Sequence, residues 1–449
     1  MKAFALLLCI LVQTISFAAD STWKAGVSSV KITPEQRVPL VGYAARTNAW
    51  AEVDHDIYAK ALALKDESGN AVVLVTLDLC TFSPTVGEPI CEEITRKTGL
   101  KRSQILLNLS HTHSGPATAV VFSSETGISH GLTNNVFEYT KVFQKKVSQV
   151  AVDAFSKTEP VHLSYGLGVA DFAMNRREFT TNGVILGVNP RGYVDRSVPV
   201  LRIDSESGEV KAVLFGYACH GTTLDSNSLL VSPDYPGYAR DVIEKKYSKA
   251  EALFIAGLGG SANPYPRTGL QLAKDHGAAL GAEVCRILEG KLRSVHGPLT
   301  TDMDFAELPL QILSRTELEE ASAPKGKSWM RGAAKEMLGA MDRGETLPKK
   351  FRMPVAAWQF GPDLTLVALS HEVVGEYGPL IEREIGPMNL WLAAYCNQVS
   401  GYIPAKITLR DGGYECRGLY EGAGIFAPET EDVLVHTVGE AAKRAGRSR

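Results

Sequence analysis

Continuous apolar runs and stretches with a 3.6-residue apolar period alternate along this chain. The runs at 71–80 (AVVLVTLDLC), 105–110 (ILLNLS), 210–219 (VKAVLFGYAC), 364–370 (LTLVALS) and 388–396 (MNLWLAAYC) lack the polar alternation of a half-exposed strand. Each therefore predicts a strand covered on both faces. Between them, 136–157, 270–292, 376–386 and 429–446 predict helices; in the first, Val136, Tyr139, Val142, Phe143, Val147 and Val150 fall near one helical stripe. The alternation predicts a layered α/β (mixed α+β) fold of twisted, mixed β-sheets flanked by helices. Neither a repeat nor a linker interrupts residues 20–449, so one domain is expected. The charge-rich segment 323–354 reads as a helix on an exposed insertion.

Several apolar runs stop at polar residues that can do chemistry. ILLNLS leads into His111 and His113, VLFGYAC into His220, LTLVALS into His371 and Glu372, and LWLAAYCNQVSG into Tyr402. In open α/β sheets ligands sit beyond the carboxyl ends of strands, so these residues can converge although remote in sequence. If 105–113 is extended, Leu107, Leu109, His111 and His113 share one face. A His-x-His pair alone fits a metal site, an acid–base pair or a polar strand end. Histidines joined by one carboxylate suit Zn²⁺, and a catalytic site keeps a coordination position open for water. The residues alone lead to the expectation of one shared site at the strand ends, with a zinc centre as one of its readings.

Composition narrows the class. The chain has 449 residues, 45% hydrophobic and 22% charged, with a formal net charge of −3. That balance gives no electrostatic reason to expect nucleic acid or an anionic membrane as partner, and no feature of the sequence fixes an oligomeric state. Residues 1–19 have the pattern of a cleaved signal peptide: Lys2, an apolar core from Ala3 to Val12, and small residues near Ala18. No later run is long enough for a transmembrane helix. A secreted or periplasmic mature protein is expected. It keeps six cysteines (Cys80, Cys91, Cys219, Cys285, Cys396 and Cys416) with no CxxC spacing, so a thiolate zinc site is not expected.

The collected residues resemble the neutral/alkaline non-lysosomal ceramidase family. LSHTHSGP (109–116) is similar to its THTHSGP zinc motif, and likeness runs from AGVSSVKITP (25–34) and LVGYA (40–44) to SGYIPA and YEG. The resemblance implies that His111, His220 (in ACHGTTL), Glu372 (in SHEVVGEYG) and Tyr402 (in SGYIPA) bind Zn²⁺. It implies that His113 is an active-site base or a histidine that supports the ligands from behind, and that Arg176, in MNRRE, polarises the substrate carbonyl. Where the family carries GDVSPN, this chain has GSANPY (260–265), with Asn263 in place of a serine and Ser261 in place of the aspartate. A serine nucleophile finds no support there, whereas Asn263 can hydrogen-bond substrate. The family usually continues into a further C-terminal β-domain, and this chain ends near the catalytic module.

The resulting expectation is an exported zinc-dependent amidohydrolase that cleaves the N-acyl bond of a small-molecule or lipid-like acyl substrate through a zinc-activated water. The alternatives are a zinc-dependent esterase or deacetylase acting on acylated sugars or other small acyl compounds, and a binding protein that retains the pocket. A barrel-type amidohydrolase fits less well, because the His-x-His comes late and eight βα units cannot be counted.

Overall fold

The computed structural model of the protein describes residues 23–43, 46, 48–118, 130–324, 330–419 and 424–448. The putdown of strands follows the apolar runs: Ala71–Leu77, Ile105–Leu109, Val210–Tyr217, Leu364–Leu369 and Leu390–Ala393. The predicted helices are His130–Ser156, Leu270–Glu289, Tyr377–Ile385 and Thr430–Arg444. The signal-peptide segment 1–19 lies outside the described residues. Among the described residues no helix is long and apolar enough to cross a membrane.

Two mixed sheets form the centre. The larger runs in the order Glu251–Ala256, Val210–Tyr217, Ser197–Ser205, Glu159–Val169, Trp23–Lys31, Tyr58–Lys65, Ala71–Leu77, Ile105–Leu109, with Arg293–Ser294 paired off this path. The second contains Leu299–Pro309, Lys350–Phe360, Leu364–Leu369 and Leu390–Ala393. The strand Tyr58–Lys65, AKALALK after its tyrosine, shows how the layers assemble. Ala59, Ala61 and Ala63 face the helix layer, where small side chains let Phe143, Val147 and Ala151 of the helix His130–Ser156 approach. Leu62 and Leu64 face the second sheet and meet Trp358, Phe360, Leu364 and Leu366. The helix Thr430–Arg444 covers the outer side of the second sheet. The order is helix, sheet, sheet, helix.

The charged segment 323–354 divides. Helix Arg331–Asp342 packs Ala334 and Met337 on Leu318 of the preceding helix Arg315–Ser322. Residues from 350 onward instead belong to the strand Lys350–Phe360. The six cysteines are buried and unbridged.

The parallel pairs lie at sheet edges: Ala71–Leu77 with Ile105–Leu109, Val210–Tyr217 with Glu251–Ala256, and Leu364–Leu369 with Leu390–Ala393. Parallel strands send their carboxyl ends out on the same side, and the polar residues named above leave there. One side chain then ties the edges together. Asn108 is fully buried; its Oδ1 accepts from the Ala256 N–H (2.9 Å) and its Nδ2 donates to the Ala394 carbonyl (2.7 Å). Around it, Leu109 N–H donates to Tyr395 O, Asn397 N–H to Leu107 O and Ala394 N–H to Ala256 O. Both edges of the larger sheet are thus held by the segment 394–397.

Each buried group orphaned by removing a partner costs about 1–3 kcal/mol. Asn108→Ala leaves the Ala256 N–H without its partner and the Ala394 carbonyl with only the Cys396 thiol at 3.4 Å, so denaturant unfolding is expected to show a loss of about 2–5 kcal/mol, while Asn108→Asp, which turns a buried carboxylate oxygen toward that carbonyl, is expected to lose at least as much.

Candidate metal centre and active site

The chain turns sharply where the first histidine stands. The strand stops at Leu109, because the N–H groups of Ser110 and His111 are captured by the carbonyls of Leu77 and Leu79 (2.8 and 2.9 Å). This puts His111 in the left-handed region at φ 58°. The expected extended run from 105 to 113 is therefore corrected. The two imidazoles still meet, with Nε2 atoms 3.2 Å apart, because a turn rather than a shared strand face brings them together. His113 N–H donates to Gly221 O (2.9 Å), which docks this loop on the one carrying His220.

His220 is fixed at both ends: its backbone N–H donates to Ala262 O (3.0 Å) and its ring Nδ1 to Gly259 O (2.7 Å). Glu372 and Tyr402 face each other in a two-residue parallel ladder, Glu372–Val373 with Tyr402–Ile403. The loop 257–262 is pressed onto that ladder. A Cβ on Gly260 would lie 2.7 Å from the Glu372 carbonyl, so the approach needs glycine. Arg176 enters from the strand Ala173–Thr180, whose residue Met174 pairs with Asn263; its N–H donates to Ser261 O (2.9 Å).

Glu372 Oε2 lies 3.0 Å from His111 Nε2 and 2.9 Å from His220 Nε2, and the ligand atoms of these three buried residues lie within 4.8 Å of one another. The Tyr402 hydroxyl is 3.4 Å from His220 Nε2. His111 Nδ1 contacts Cys80 O at 2.8 Å as His220 Nδ1 contacts Gly259 O. A carbonyl can only accept, so both Nδ1 atoms carry hydrogens and the Nε2 positions turn toward the carboxylate. Electron pairs thus converge on one point, which is favourable only with positive charge there. Carbonyl contacts at the far nitrogen are also how metal-binding imidazoles are oriented. Two imidazoles, a carboxylate and a phenol oxygen are hard-to-borderline donors that fit a divalent cation such as zinc. A second group, Cys80 with His111 and His113, adjoins the first.

Burial opposes charge throughout the centre; charged neighbours override it at Glu372 and His111, and it prevails at His220, His113 and Tyr402. Glu372 is held well below the usual carboxylate range, because His111 and His220 outweigh its burial. His111 is burdened by burial yet lifted well above the ordinary imidazole value by Glu372 and Cys80. Burial, reinforced by Arg176, pushes His220 down to about 3. Burial and its two histidine neighbours push His113 well down. Burial raises the Tyr402 phenol despite Arg176. Without an ion, one proton on His111 balances the carboxylate.

Arg176 Nη1 donates to His220 Nε2 (3.0 Å) and to Asn263 Oδ1 (3.3 Å), which also accepts from Thr222 Oγ1 (3.2 Å). The structure therefore brings His111, His113, Arg176, His220, Glu372 and Tyr402 into one buried cluster, with half-buried Asn263 at its edge.

These features agree with comparisons to known proteins. A family model described as the N-terminal region of neutral/alkaline non-lysosomal ceramidase matches residues 23–270, more than half of the chain. The chain belongs to that family. Neutral ceramidase B of Dictyostelium discoideum is 26% identical over 268 residues, covering 56% of this chain and 36% of that protein. The neutral ceramidase of Pseudomonas aeruginosa is 26% identical over 270 residues, covering 56% and 38%. The match thus spans little more than a third of these relatives. The crystal structure of the Pseudomonas aeruginosa neutral ceramidase has a similar fold, with a TM-score of 0.73 at 17% identity over 94% of this chain and 74% of that one. A structure described as ceramidase complexed with C2 gives 0.72 at 17%, over 96% and 77%. His111, His113, Arg176, His220 and Asn263 lie inside the stretch matched by the family model; Glu372 and Tyr402 lie beyond it, where the fold likeness continues.

Other polar residues support the site or lie apart from it. Asp234 stands at the first position of the helix Asp234–Lys246 at φ 56°, and its Oδ2 accepts from the N–H groups of Thr223 and Leu224, fixing the loop after His220. His276 is buried and stacked on Phe172. His55 pairs with Asp241 and Asp78 with Arg240, outside the cluster. Sequence reasoning missed Glu415, which bonds both Arg176 and Arg177. The signal was the tandem arginine on a strand, which needs a buried acid but does not say which.

The imidazole of His113 rests against Gly42, at φ 114°; a Cβ there would lie 2.4 Å from the ring. Gly42→Ala is expected to displace His113 and to destabilise by about 1–2 kcal/mol from backbone strain alone. The imidazole NMR resonances and the denaturation midpoint check both effects.

Proposed function

We propose that this protein is an exported zinc-dependent hydrolase that cleaves the amide bond of a lipid-like N-acyl substrate. The observation that carries the reading is the convergence of His111 Nε2, His220 Nε2 and Glu372 Oε2 with both Nδ1 hydrogens committed to carbonyls. Family membership supplies the bond class. His111, His220, Glu372 and Tyr402 would hold the ion. When bound, zinc supplies Lewis-acid polarisation and acidifies water near neutral pH.

The chain's own groups do the rest. His113, beside His111, takes a proton from water as the oxygen adds to the acyl carbon, then returns it to the nitrogen as the C–N bond breaks, leaving a carboxylic acid and an amine. Arg176 faces the carbonyl oxygen and stabilises the charge that develops there; loss of one such donor typically costs about 10²–10³ in rate. Asn263 offers no nucleophile and orients Arg176 through Oδ1. The Tyr414 ring meets that of Tyr402 edge-on, with centroids 5.5 Å apart. Tyr414 also lines a groove of about 740 Å³, where Val184, Ile185, Leu186, Ala333 and Leu419 are interspersed with Arg331, Lys335, Glu336 and Arg417, a lining that would take a chain with both apolar and polar parts. Export rests on the pattern of residues 1–19.

Purified protein is expected to contain zinc and to hydrolyse long-chain N-acyl sphingoids or N-acyl amino acids, with activity lost to a chelator and restored by Zn²⁺. Turnover of O-acyl sugars alone would establish the esterase alternative, and zinc-loaded protein with no turnover across the panel would establish the binding protein. His111→Ala is expected to remove both zinc and hydrolysis. Independently of turnover, free Zn²⁺ at about 100 times Kd should stabilise the metal-free protein by about 2.7 kcal/mol in thermal unfolding, and Glu372→Gln should abolish that gain.

A further inference from the structure

We propose that Glu415 is a positioning residue for hydrolysis: it aims the Arg176 guanidinium through a buried Arg176–Glu415–Arg177 clamp. The inference rests on the amide-hydrolase reading for its kinetic tests, while the clamp itself stands on geometry. Glu415 Oε1 accepts from Arg176 Nε (2.8 Å) and Oε2 from Arg177 Nη1 (2.6 Å). Glu415 is 1% exposed, Arg177 3% and Arg176 4%, so the charges are out of water. Arg177 is anchored in turn: its Nη2 donates to Gly412 O (2.7 Å) and Thr408 O (3.3 Å), at the carboxyl end of the helix Lys406–Asp411, where a cation is favoured.

The chemistry of the guanidinium makes this more than an ion pair. The group is planar, so fixing its Nε edge fixes where its Nη edge points. Glu415 holds Nε; Nη1 therefore meets His220 Nε2 at 3.0 Å and Asn263 Oδ1 at 3.3 Å, on the side where an acyl oxygen must lie. Arg177 does not reach the cluster. Its role is to keep Glu415 from rotating and to offset its charge. Removing the carboxylate leaves two adjacent buried guanidinium groups without their shared anion, which drives Arg176 out of place.

Misplacement of a reacting group by about 1 Å can cost about 10²-fold in rate. Glu415→Gln keeps the shape and removes the charge; it is expected to lower kcat by about 10- to 100-fold, with KM and bound zinc unchanged. Chemical rescue separates aiming from general support. Guanidinium ion should partly restore Arg176→Ala, because Glu415 still binds it, and should not restore Arg176→Ala combined with Glu415→Gln. Equal rescue in both backgrounds, or a fall in thermal stability with kcat intact, overturns the proposal. Should Glu415→Gln fail to fold, Glu415→Asp keeps the charge at shorter reach and is expected to lose part of kcat; full kcat overturns the proposal. A crystal structure of whichever variant folds gives a result independent of the reaction. Arg176 displaced from His220 supports the clamp even if the wild-type protein hydrolyses no N-acyl compound, and Arg176 unmoved refutes it.

Discussion

The arrangement depends on one amide side chain. Asn108 sits at the last strand of the larger sheet and bonds backbone groups of two other strands' ends, Ala256 and Ala394. Sheet edges are normally left to solvent or covered by helices. Here the segment 394–397 closes both, and the same closure sets the distance between the loops that follow Leu109, Tyr217 and Leu369. A buried carboxamide is suited to this, since it donates and accepts from one rigid group and carries no charge that needs neutralising.

On that frame the centre is built with an electrostatic deficit. Three imidazoles and a carboxylate crowd one point, and the second-layer contacts aim their lone pairs rather than satisfy them. Left-handed backbone at His111, His371, Tyr395 and Asn397 belongs to the same economy: each sits at a strand end turning toward the cluster. Non-glycine residues enter that region at a cost on the order of 1 kcal/mol each, and the packing of the two sheets supplies the offset. The opposite problem occurs beside it, where two arginines share Glu415. Excess negative character and excess positive character are kept about one side chain apart.

Much of this was legible in the sequence, for physical reasons. Short, fully apolar runs bounded by turn residues fit strands buried on both faces, and each of those named is a strand. Polar residues that end such runs at their carboxyl ends can converge in a layered fold, which suggested a shared site, and the family resemblance then singled out His111, His220, Glu372 and Tyr402. What was not legible is tertiary. Asn108 reads as one polar residue inside ILLNLS, and only segments 148 and 286 residues further along the chain give it partners. Glu415 likewise needs Arg176 and Arg177 from a distant strand. The left-handed turn at His111 depends on carbonyls of the neighbouring strand, so the alternation rule predicted the right pairing of His111 with His113 through the wrong backbone.

The ladder joining Glu372 to Tyr402 belongs to the last fifth of the polypeptide, whereas His111 belongs to the first third. During synthesis the early imidazoles emerge long before the oxygen donors that complete their set. The four donors are therefore complete only once the last fifth of the chain has joined the two-sheet frame.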